Sequence, residues 1–597
     1  MKITKIVEMF LLLGLFVLTD SPVASAQSRG DDNRADPCTL VPDNAQGLQD
    51  HRCRFGRGSG IARGDFNGDG IADLVIGIPN ETRTNLRFSG SLSTGFISTQ
   101  ETNAGAVGIL LGSSTGLTNS GALLMDQTVF QVSQNAHFGT AVVPGKFHDI
   151  SSPYSDLAVG APGVPKPGTS KFGAVYVFNN NNGTLTTNSV GTVLYAADAN
   201  VPPFLSMFGV VFPSDMTMTW GDFNGDGFGD LAVEARSSDC ATCTSAVVVY
   251  FGSGNGLSST NNITLDLDDG FSPHNFNNGT TCLGTTFGTH FCAKSRGPVS
   301  LAAVDLNGDG MDELLIGAPG CIQITDSGTT VSGDFNEGCV AIVPGRSDGP
   351  NQFFGWSVML GDRTVGFGSS LAVGDFDGDG FKDIAVGEPG STPGVSGFVA
   401  GAVRVYSHPQ LHGVLDPIDK TDSTLINQST VGIGGLQSDG EFGGTLAAND
   451  FNGDAVTDLA IGAPGETVSG LADTGEVYIV YGQSGAGLST ASGTNHPAAQ
   501  VFAGPFGGRA GDSLSAWNFG KSSQADLAIG SPVLNVTLRI LNFNGGFSFE
   551  TINGAGEVNV LYGSSSGLNL ISPQTWLELN LPGGGVHAGV HFGAAVY

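Results

Sequence analysis

Five segments of nine residues carry oxygen-bearing side chains at one shared spacing. Asp stands at position 1, Asn or Asp at position 3, Asp at position 5 and Asp or Glu at position 9, and position 7 can offer its backbone carbonyl. Such a concentration of carboxylates is electrostatically unfavourable unless a cation lies among them. The five segments, called the acidic loops below, span residues 65–73, 222–230, 305–313, 375–383 and 450–458.

The ligand type and the spacing indicate calcium. Ca²⁺ takes about six to eight oxygen ligands in flexible geometry, whereas Mg²⁺ keeps waters and demands a strict octahedron. The alternative is a series of Asp-Gly turns without metal, because both residues are common in turns. We predict about five Ca²⁺ ions, with these ligands: Asp65, Asn67, Asp69, Ile71, Asp73, Asp222, Asn224, Asp226, Phe228, Asp230, Asp305, Asn307, Asp309, Met311, Glu313, Asp375, Asp377, Asp379, Phe381, Asp383, Asp450, Asn452, Asp454, Val456 and Asp458.

Two related segments have lost the acidic cluster and gained a lysine. Lys521 lies in the segment 518–526, and Lys146 stands where the first Asp is expected in a longer loop before Asp156. We expect an ammonium group or plain hydrogen bonding to replace the ion there. In the segment 450–458, Ala455 replaces the Gly that permits the tight turn at position 6, so we expect a strained turn and weaker affinity.

Each of these segments leads into a recurring apolar phrase of the type DLAVGAP. It begins at Asp73, Asp156, Asp230, Glu313, Asp383, Asp458 and Asp526, and a second β-rich run with a Gly-rich turn follows. Apolar β-branched strands between Gly turns are typical of a four-stranded antiparallel blade. Seven such units without helices must bury their faces against one another, which a ring does better than an open stack. The sequence thus predicts an all-β, seven-bladed β-propeller with calcium-binding loops.

Phe-Gly pairs divide the chain into units. We place the repeats near residues 55, 138, 208, 287, 367, 442 and 506, within a propeller of residues 55–597. The tail 592–597 begins like another unit, and we interpret it as a closing strand of the first or last blade; a truncated chain is the alternative.

Composition and the N-terminus indicate a secreted protein. Residues 1–26 have two lysines, an apolar stretch and an Ala-Ser-Ala cleavage pattern, as in a signal peptide, and residues 27–54 then form a flexible segment. No later apolar run is long enough to span a membrane. Eight cysteines in near-neighbour pairs favour disulfides in an extracellular, cell-surface or periplasmic setting. The net charge of -31 repels phosphate backbones and argues against a nucleic-acid partner.

The combination of Phe-Gly, DxNxDGxxDLAIGAP and GxVYV resembles the FG-GAP repeat of the integrin α-subunit N-terminal domain. It is also similar to the repeat region of glycosylphosphatidylinositol-specific phospholipase D and to bacterial secreted proteins. The resemblance implies a seven-bladed propeller with calcium in the blade loops. It also implies a ligand-binding face opposite those loops.

These observations favour a secreted, calcium-binding, integrin-α-like propeller that binds an extracellular protein or glycan in adhesion, without catalysis. The candidate binding segments are the long inserts 80–103, 164–171 and 321–339. The alternative is an extracellular hydrolase or lyase acting on polysaccharide or glycolipid. It predicts acids, His or Tyr converging in the central funnel, away from the calcium loops. Two G-x-S-x-G matches, at 112–116 and 563–567, recur at one point of the repeat and are better explained as hairpin turns.

Overall fold

The structure is a computed structural model that describes most of the chain between residues 58 and 596. Its gaps are 61–63, 89–95, 127–133, 150, 187–188, 201–209, 238–244, 267–282, 285–289, 296–298, 327–330, 335–337, 351–356, 361–365, 392–398, 410–416, 419–422, 433–436, 438, 494–495, 542–546, 583 and 585–586. The proposed signal peptide and the segment 27–54 lie outside the described residues.

Seven sheets, each with a four-stranded antiparallel core, form the predicted propeller. In chain order the innermost strands of blades 2 to 7 are neighbours, and that of blade 7 contacts Ala595–Val596 of blade 1. Leu74–Ile78 of blade 1 contacts Val142–Gly145 of blade 2, so the ring is closed. The strands of blades 1 to 3, from the centre outwards, are Ala595–Val596, Leu74–Ile78, Ala106–Leu111 and Thr118–Met125; Val142–Gly145, Asp156–Pro165, Phe172–Phe178 and Val190–Tyr195; Met218–Gly221, Asp230–Ser237, Ser245–Tyr250 and Asn262–Asp266.

The remaining four blades repeat this order. Blade 4 has Ser300–Val304, Glu313–Ala318, Cys339–Val343 and Ser357–Leu360; blade 5 has Leu371–Gly374, Asp383–Glu388, Ala402–Tyr406 and Ser423–Ile426; blade 6 has Thr445–Asn449, Asp458–Ala463, Glu476–Val480 and Gln500–Ala503; blade 7 has Ser513–Trp517, Asp526–Ser531, Glu557–Leu561 and Gln574–Trp576.

Shorter elements decorate the blades. Helical turns occur at Gln428–Val431, Ala196–Asp198 and Glu578–Asn580. Two-residue strands at Val210–Val211 and Pro417–Ile418 extend the sheets of blades 3 and 4. Extra hairpins are formed by Arg83–Phe88 with Phe96–Glu101 and by Val536–Leu541 with Phe547–Ile552, and a separate sheet by Leu283–Gly284, His290–Ser295, Cys321–Asp326 and Val331–Asp334. No helix among the described residues is both long and apolar enough to cross a membrane.

The core lies between blades, so the central strands are apolar on both faces. All described residues of Leu74–Ile78, Glu313–Ala318 and Asp458–Ala463 are buried. Glycine in the recurring phrase permits the close approach of neighbouring blades. A Cβ on Gly77 of blade 1 would lie 2.2 Å from the carbonyl oxygen of Gly139 in blade 2, and the pair Gly530 and Gly593 repeats this contact at 2.1 Å.

The tail closes the ring in blade 1. Ala595–Val596 pairs antiparallel with Leu74–Ile78, and Phe592 is fully buried like Phe138. The segment after Phe55 does not supply that inner strand, because the tail already occupies the edge. Gly58–Gly60 instead pairs in parallel with Ser300–Val304 of blade 4.

At two junctions the residue that fills the buried position is not the Phe at the predicted start of the repeat. Phe506 is 50% exposed, and the buried position that Phe138 holds in blade 2 is taken in blade 7 by Ala510. In blade 3 the equivalent residue is Phe212, which packs against Gly173, whereas Phe208 lies outside the described residues, as do Phe55 and Phe287. An aromatic ring is therefore not required at every junction.

Candidate metal centre

Each acidic loop leads into the second strand of its blade. In blades 3 to 6 it joins that strand to the first strand, whereas in blade 1 the first strand is supplied by the tail. Because strand direction alternates, these loops share one face of the propeller, which we call the acidic face. The connections between second and third strands, and between one blade and the next, lie on the opposite face. The topology thus separates the candidate metal ligands from the long inserts.

In the first acidic loop the oxygens of the predicted ligands turn towards the loop backbone. Asp65 accepts hydrogen bonds from the N–H groups of Gly68 (2.6 Å) and Gly70 (2.8 Å). Asp69 accepts from the N–H of Ile71 at 2.9 Å, and Asn67 accepts from that of Asp69 at 2.9 Å. The carboxylate at position 1 accepts from the N–H at position 6 in the other four loops as well.

Each acidic loop is also bonded to the neighbouring blade. The carbonyl of Asp65 at position 1 accepts from the N–H of Ser155 in the next loop at 2.7 Å. In the same way, the carbonyl of Asp375 accepts from the N–H of Thr457, and that of Asp450 accepts from the N–H of Ala525. Across the ring closure, the carbonyl of Asn518 accepts from the N–H of Ala72. Whatever holds a loop in place therefore also holds two blades together.

The acid at position 9 has a structural role that the sequence analysis missed. Asp73 is 1% exposed, and its two oxygens accept from the N–H groups of Phe66 (2.7 Å) and Gly112 (2.8 Å). Asp526 makes the same pair of bonds, to Phe519 and Gly563, in a loop without the acidic cluster. A recurring acid before the phrase is thus explained in part by strand anchoring.

Burial makes these closing acids costly to ionise. It is the largest cause that raises the pKa of Asp73 to about 7 and of Asp458 to about 8; backbone hydrogen bonds oppose it, and the carboxylates at positions 1 and 5 add to it. The pKa of Asp230 is raised to about 8, of Glu313 to about 7 and of Asp383 to about 6 for the same first reason. A cation in the loop would reverse this effect.

The loop 375–383 gathers the most charge. Asp375, Asp377 and Asp383 each bring one oxygen within 4.8 Å of the others. Among the acids that the structure describes on this face, those of the other four loops are not as close, because Asn replaces Asp at position 3. The ring of His408 stacks on Phe381 at 3.8 Å between centroids, and its Nδ1 lies 3.9 Å from Asp379.

In the two exceptional loops, each lysine has a defined partner. Lys146 Nζ donates to the backbone carbonyls of Ser152 (2.8 Å) and Tyr154 (2.6 Å). Lys521 Nζ lies 3.5 Å from the centre of the Tyr562 ring, a cation–π contact. The side chain of Asn518 bonds within its own loop.

A cavity of about 460 Å³ lies among the inner strands of blades 5, 6, 7 and 1. Its lining includes Lys382, Trp517 and one carboxylate, Asp450, which belongs to an acidic loop. The lining residues include no His or Tyr. This part of the funnel therefore gives no support to a catalytic cluster.

Sequence reasoning did not find a second group on the opposite face, formed by Glu81, Glu578 and His587. The signal that was missed is a Glu eight residues after the first residue of the phrase, which occurs only in blades 1 and 6, at Glu81 and Glu466.

Cys339, at the start of the third strand of blade 4, takes part in a disulfide. The side chains of the other seven cysteines lie outside the described residues, so their neighbour pairing stays a prediction.

Comparison with known proteins agrees with this architecture. The FG-GAP repeat model matches residues 57–110, 297–332, 367–406 and 442–480. Phosphatidylinositol-glycan-specific phospholipase D of Bos taurus is 32% identical over 166 residues, 28% of this chain and 18% of that protein. Integrin alpha pat-2 of Caenorhabditis elegans is 27% identical over 273 residues, 44% of this chain and 19% of that protein. The chain thus matches less than a fifth of each relative's length.

Among solved structures, a NanB sialidase mutant from Streptococcus pneumoniae aligns with 85% of this chain and 95% of its own, at 9% identity and a TM-score of 0.27. A likeness that weak carries no argument. The repeats and the topology together identify the chain as a seven-bladed β-propeller with FG-GAP repeats, distantly similar over part of its length to phosphatidylinositol-glycan-specific phospholipase D and to integrin α subunits.

Proposed function

We propose that this protein is a secreted, calcium-stabilised propeller that binds an extracellular protein or glycan in adhesion and does not catalyse a reaction. The observation that carries the proposal is the separation of faces. Five acidic loops repeat on one face and bond to neighbouring blades, while the inserts vary from blade to blade on the other.

Calcium is the ion that best suits the acidic loops. Side chains at positions 1, 3, 5 and 9 and the carbonyl at position 7 supply only oxygen ligands, which Ca²⁺ prefers. The crowded carboxylates in the loop 375–383 support this directly. Because each loop is bonded to the next blade, the ions would stabilise the ring rather than act on a substrate.

In the two exceptional loops, we infer that no ion binds. The ammonium of Lys146 already serves the carbonyls of Ser152 and Tyr154, and Lys521 is engaged by Tyr562. The number of ions is then about five, one for each acidic loop.

The opposite face is the proposed ligand-binding surface. The hairpins of blades 1 and 7 and the extra sheet of blade 4 project from connections on that face. Loops and inserts on a rigid scaffold are where binding specificity usually lies. The hairpin of blade 7 carries Phe549, which is 70% exposed and available for contact.

Metal counting and ligand screening test the proposal. We expect elemental analysis of protein equilibrated with calcium to give about five tightly held ions per chain; seven would show that the lysine loops also bind. We expect arrays of matrix proteins and glycans to show calcium-dependent binding. Turnover in parallel hydrolase screens, without binding, would favour the enzyme alternative.

A further inference from the structure

Three side chains from distant parts of the chain meet on the opposite face, next to the ring closure. Glu81 follows the second strand of blade 1, and Glu578 and His587 lie between the outer strand of blade 7 and the closing strand. Nδ1 of His587 is 3.4 Å from an oxygen of Glu81 and 3.4 Å from an oxygen of Glu578. One ligand atom from each of the three residues lies within 4.8 Å of the others.

The two carboxylates are buried, and that of Glu578 lacks donors. Glu81 and Glu578 are each 2% exposed. Within the described part of the chain, neither oxygen of Glu578 accepts a hydrogen bond. A buried ionised carboxylate without donors is strongly unfavourable, so this arrangement calls for a positive partner, which is either a protonated His587 or a bound cation. The side chain of His587 is 55% exposed and leaves the group open to solvent.

Blade 6 offers an internal comparison. There Glu466 occupies the place of Glu81, and Gln428, two residues after the outer strand of blade 5, occupies the place of Glu578. The amide of Gln428 donates to Glu466 at 2.6 Å, so a donor meets an acceptor. Between blades 7 and 1 the donor is replaced by a second acceptor, and an imidazole is added beside the pair.

We propose that Glu81, Glu578 and His587 bind a divalent transition-metal ion such as Zn²⁺, with a water at the open fourth position. Zinc–ligand bonds of about 2.0–2.2 Å place neighbouring ligand atoms of a tetrahedron about 3.3–3.6 Å apart. The two separations of 3.4 Å match that edge. They are longer than the N–H···O distances of about 2.7–3.2 Å in good hydrogen bonds.

Backbone hydrogen bonds hold the two glutamates in place before any ion arrives. The N–H of Glu81 donates to Ile78 at 3.2 Å, and its carbonyl accepts from Gly105 at 2.9 Å. The carbonyl of Glu578 accepts from Leu581 at 2.9 Å. Both carboxylates therefore project from fixed turns, as a metal site requires.

The ligand set separates this site from the acidic loops. Imidazole suits zinc and its neighbours, whereas Ca²⁺ takes oxygen ligands. The proposal goes beyond the calcium-stabilised ligand-binding role and does not depend on it. A metal here would join blade 7 to blade 1 across the ring closure, on the face where the inserts lie.

Zinc binding to the full chain, with the acidic loops saturated by excess Ca²⁺, tests the proposal. Isothermal titration with ZnCl₂ would compare the native protein with Glu578→Gln and His587→Gln. Glu578→Gln recreates the pair seen in blade 6 and should fold, and His587 is exposed. Glu466→Gln is the matched control, because it alters the equivalent carboxylate outside the proposed site.

We expect the native protein to bind one equivalent of zinc. The affinity for this zinc should fall at least tenfold in Glu578→Gln and His587→Gln and should be unchanged in Glu466→Gln. Equal zinc affinity in the native protein and both site variants would overturn the proposal. So would the absence of any zinc equivalent in the native protein, which would leave His587 itself as the counter-ion.

Discussion

At the residue scale, one acid can serve two purposes that sequence spacing does not distinguish. Asp73 was predicted as a metal ligand, and the structure shows it anchoring Phe66 and Gly112. Asp156 and Asp526 make equivalent bonds without an acidic cluster around them. Anchoring therefore explains the acid at position 9 both in the acidic loops and in the two loops that carry a lysine. In the acidic loops, the metal proposal adds a second role, in which the remaining lone pairs of this acid coordinate the ion.

Glu466 makes stability depend on pH. Burial is the main cause that raises the pKa of Glu466 to about 7. The hydrogen bond from Gln428 lowers this pKa, and the charge of Glu476 raises it. The Tyr478 hydroxyl is hydrogen-bonded to Gln428 and to Glu476. Because the folded pKa lies above the unfolded value, the free energy of unfolding falls as pH rises from 4.5 through 7.

Relative to the native protein, we expect Glu466→Gln to gain up to about 3 kcal/mol in unfolding free energy between pH 4.5 and pH 8, since the amide cannot ionise. Urea unfolding at both pH values, with Ca²⁺ saturating, measures the difference. A constant difference across that range would contradict the pKa assignment.

At the element scale, the turn at position 6 of each acidic loop needs a left-handed residue. Gly70, Gly227, Gly310 and Gly380 have φ between 84° and 90°, and Ala455 is held at φ 69°. The structure thus shows the strain that the sequence predicted at Ala455. The hydrogen bond from its N–H to Asp450, 2.9 Å, keeps it there.

We expect Ala455→Gly to raise the unfolding free energy by about 1 kcal/mol, because a non-Gly residue in the left-handed region costs about 1–2 kcal/mol. The reverse change, Gly70→Ala, is the matched control; a Cβ there has nothing within 4 Å, so it reports backbone strain alone and should destabilise by a similar amount. Denaturant midpoints of both variants measure the effects. If the Ala455→Gly variant were less stable than the native protein, the proposed backbone strain at Ala455 would be contradicted.

At the scale of the whole molecule, closure depends on the contact between the tail and blade 7. A Cβ on Gly593 would meet the carbonyl oxygen of Glu557 at 2.8 Å and the Cα of Gly530 at 3.4 Å. Gly589 has a similar positive φ, 72° against 86°, but a Cβ there meets nothing within 4 Å.

We therefore expect Gly593→Ala to lower the unfolding free energy by about 2 kcal/mol more than Gly589→Ala, since overpacking costs about 1–3 kcal/mol beyond backbone strain. Thermal and urea unfolding of the two variants give the difference. Equal losses would show that the tail does not close the ring by this contact.

Calcium should stabilise the ring as a whole. At free Ca²⁺ about 100 times the dissociation constant, each occupied site adds about 2.7 kcal/mol. We expect chelation with EGTA to lower the melting temperature markedly and reversibly. A melting curve that is unaffected by EGTA would contradict the structural role of calcium.

What the sequence determined by itself is the repeated part of the molecule. Seven phrases, alternating apolar strands and Gly turns are local patterns, and each specifies a blade whose faces need a neighbour. The strain at Ala455 and the loss of acids around Lys146 and Lys521 could likewise be read from single positions, because backbone conformation and charge density are local properties.

Only the tertiary structure decided which residues meet where the repeat breaks. The competition between the segment after Phe55 and the tail for one sheet edge, and the replacement of Phe506 by Ala510, depend on packing between blades. Glu81 and Glu578 are almost the whole chain apart in sequence. Closure of the propeller brings them together, and no local sequence pattern specifies a contact between the first and last blades.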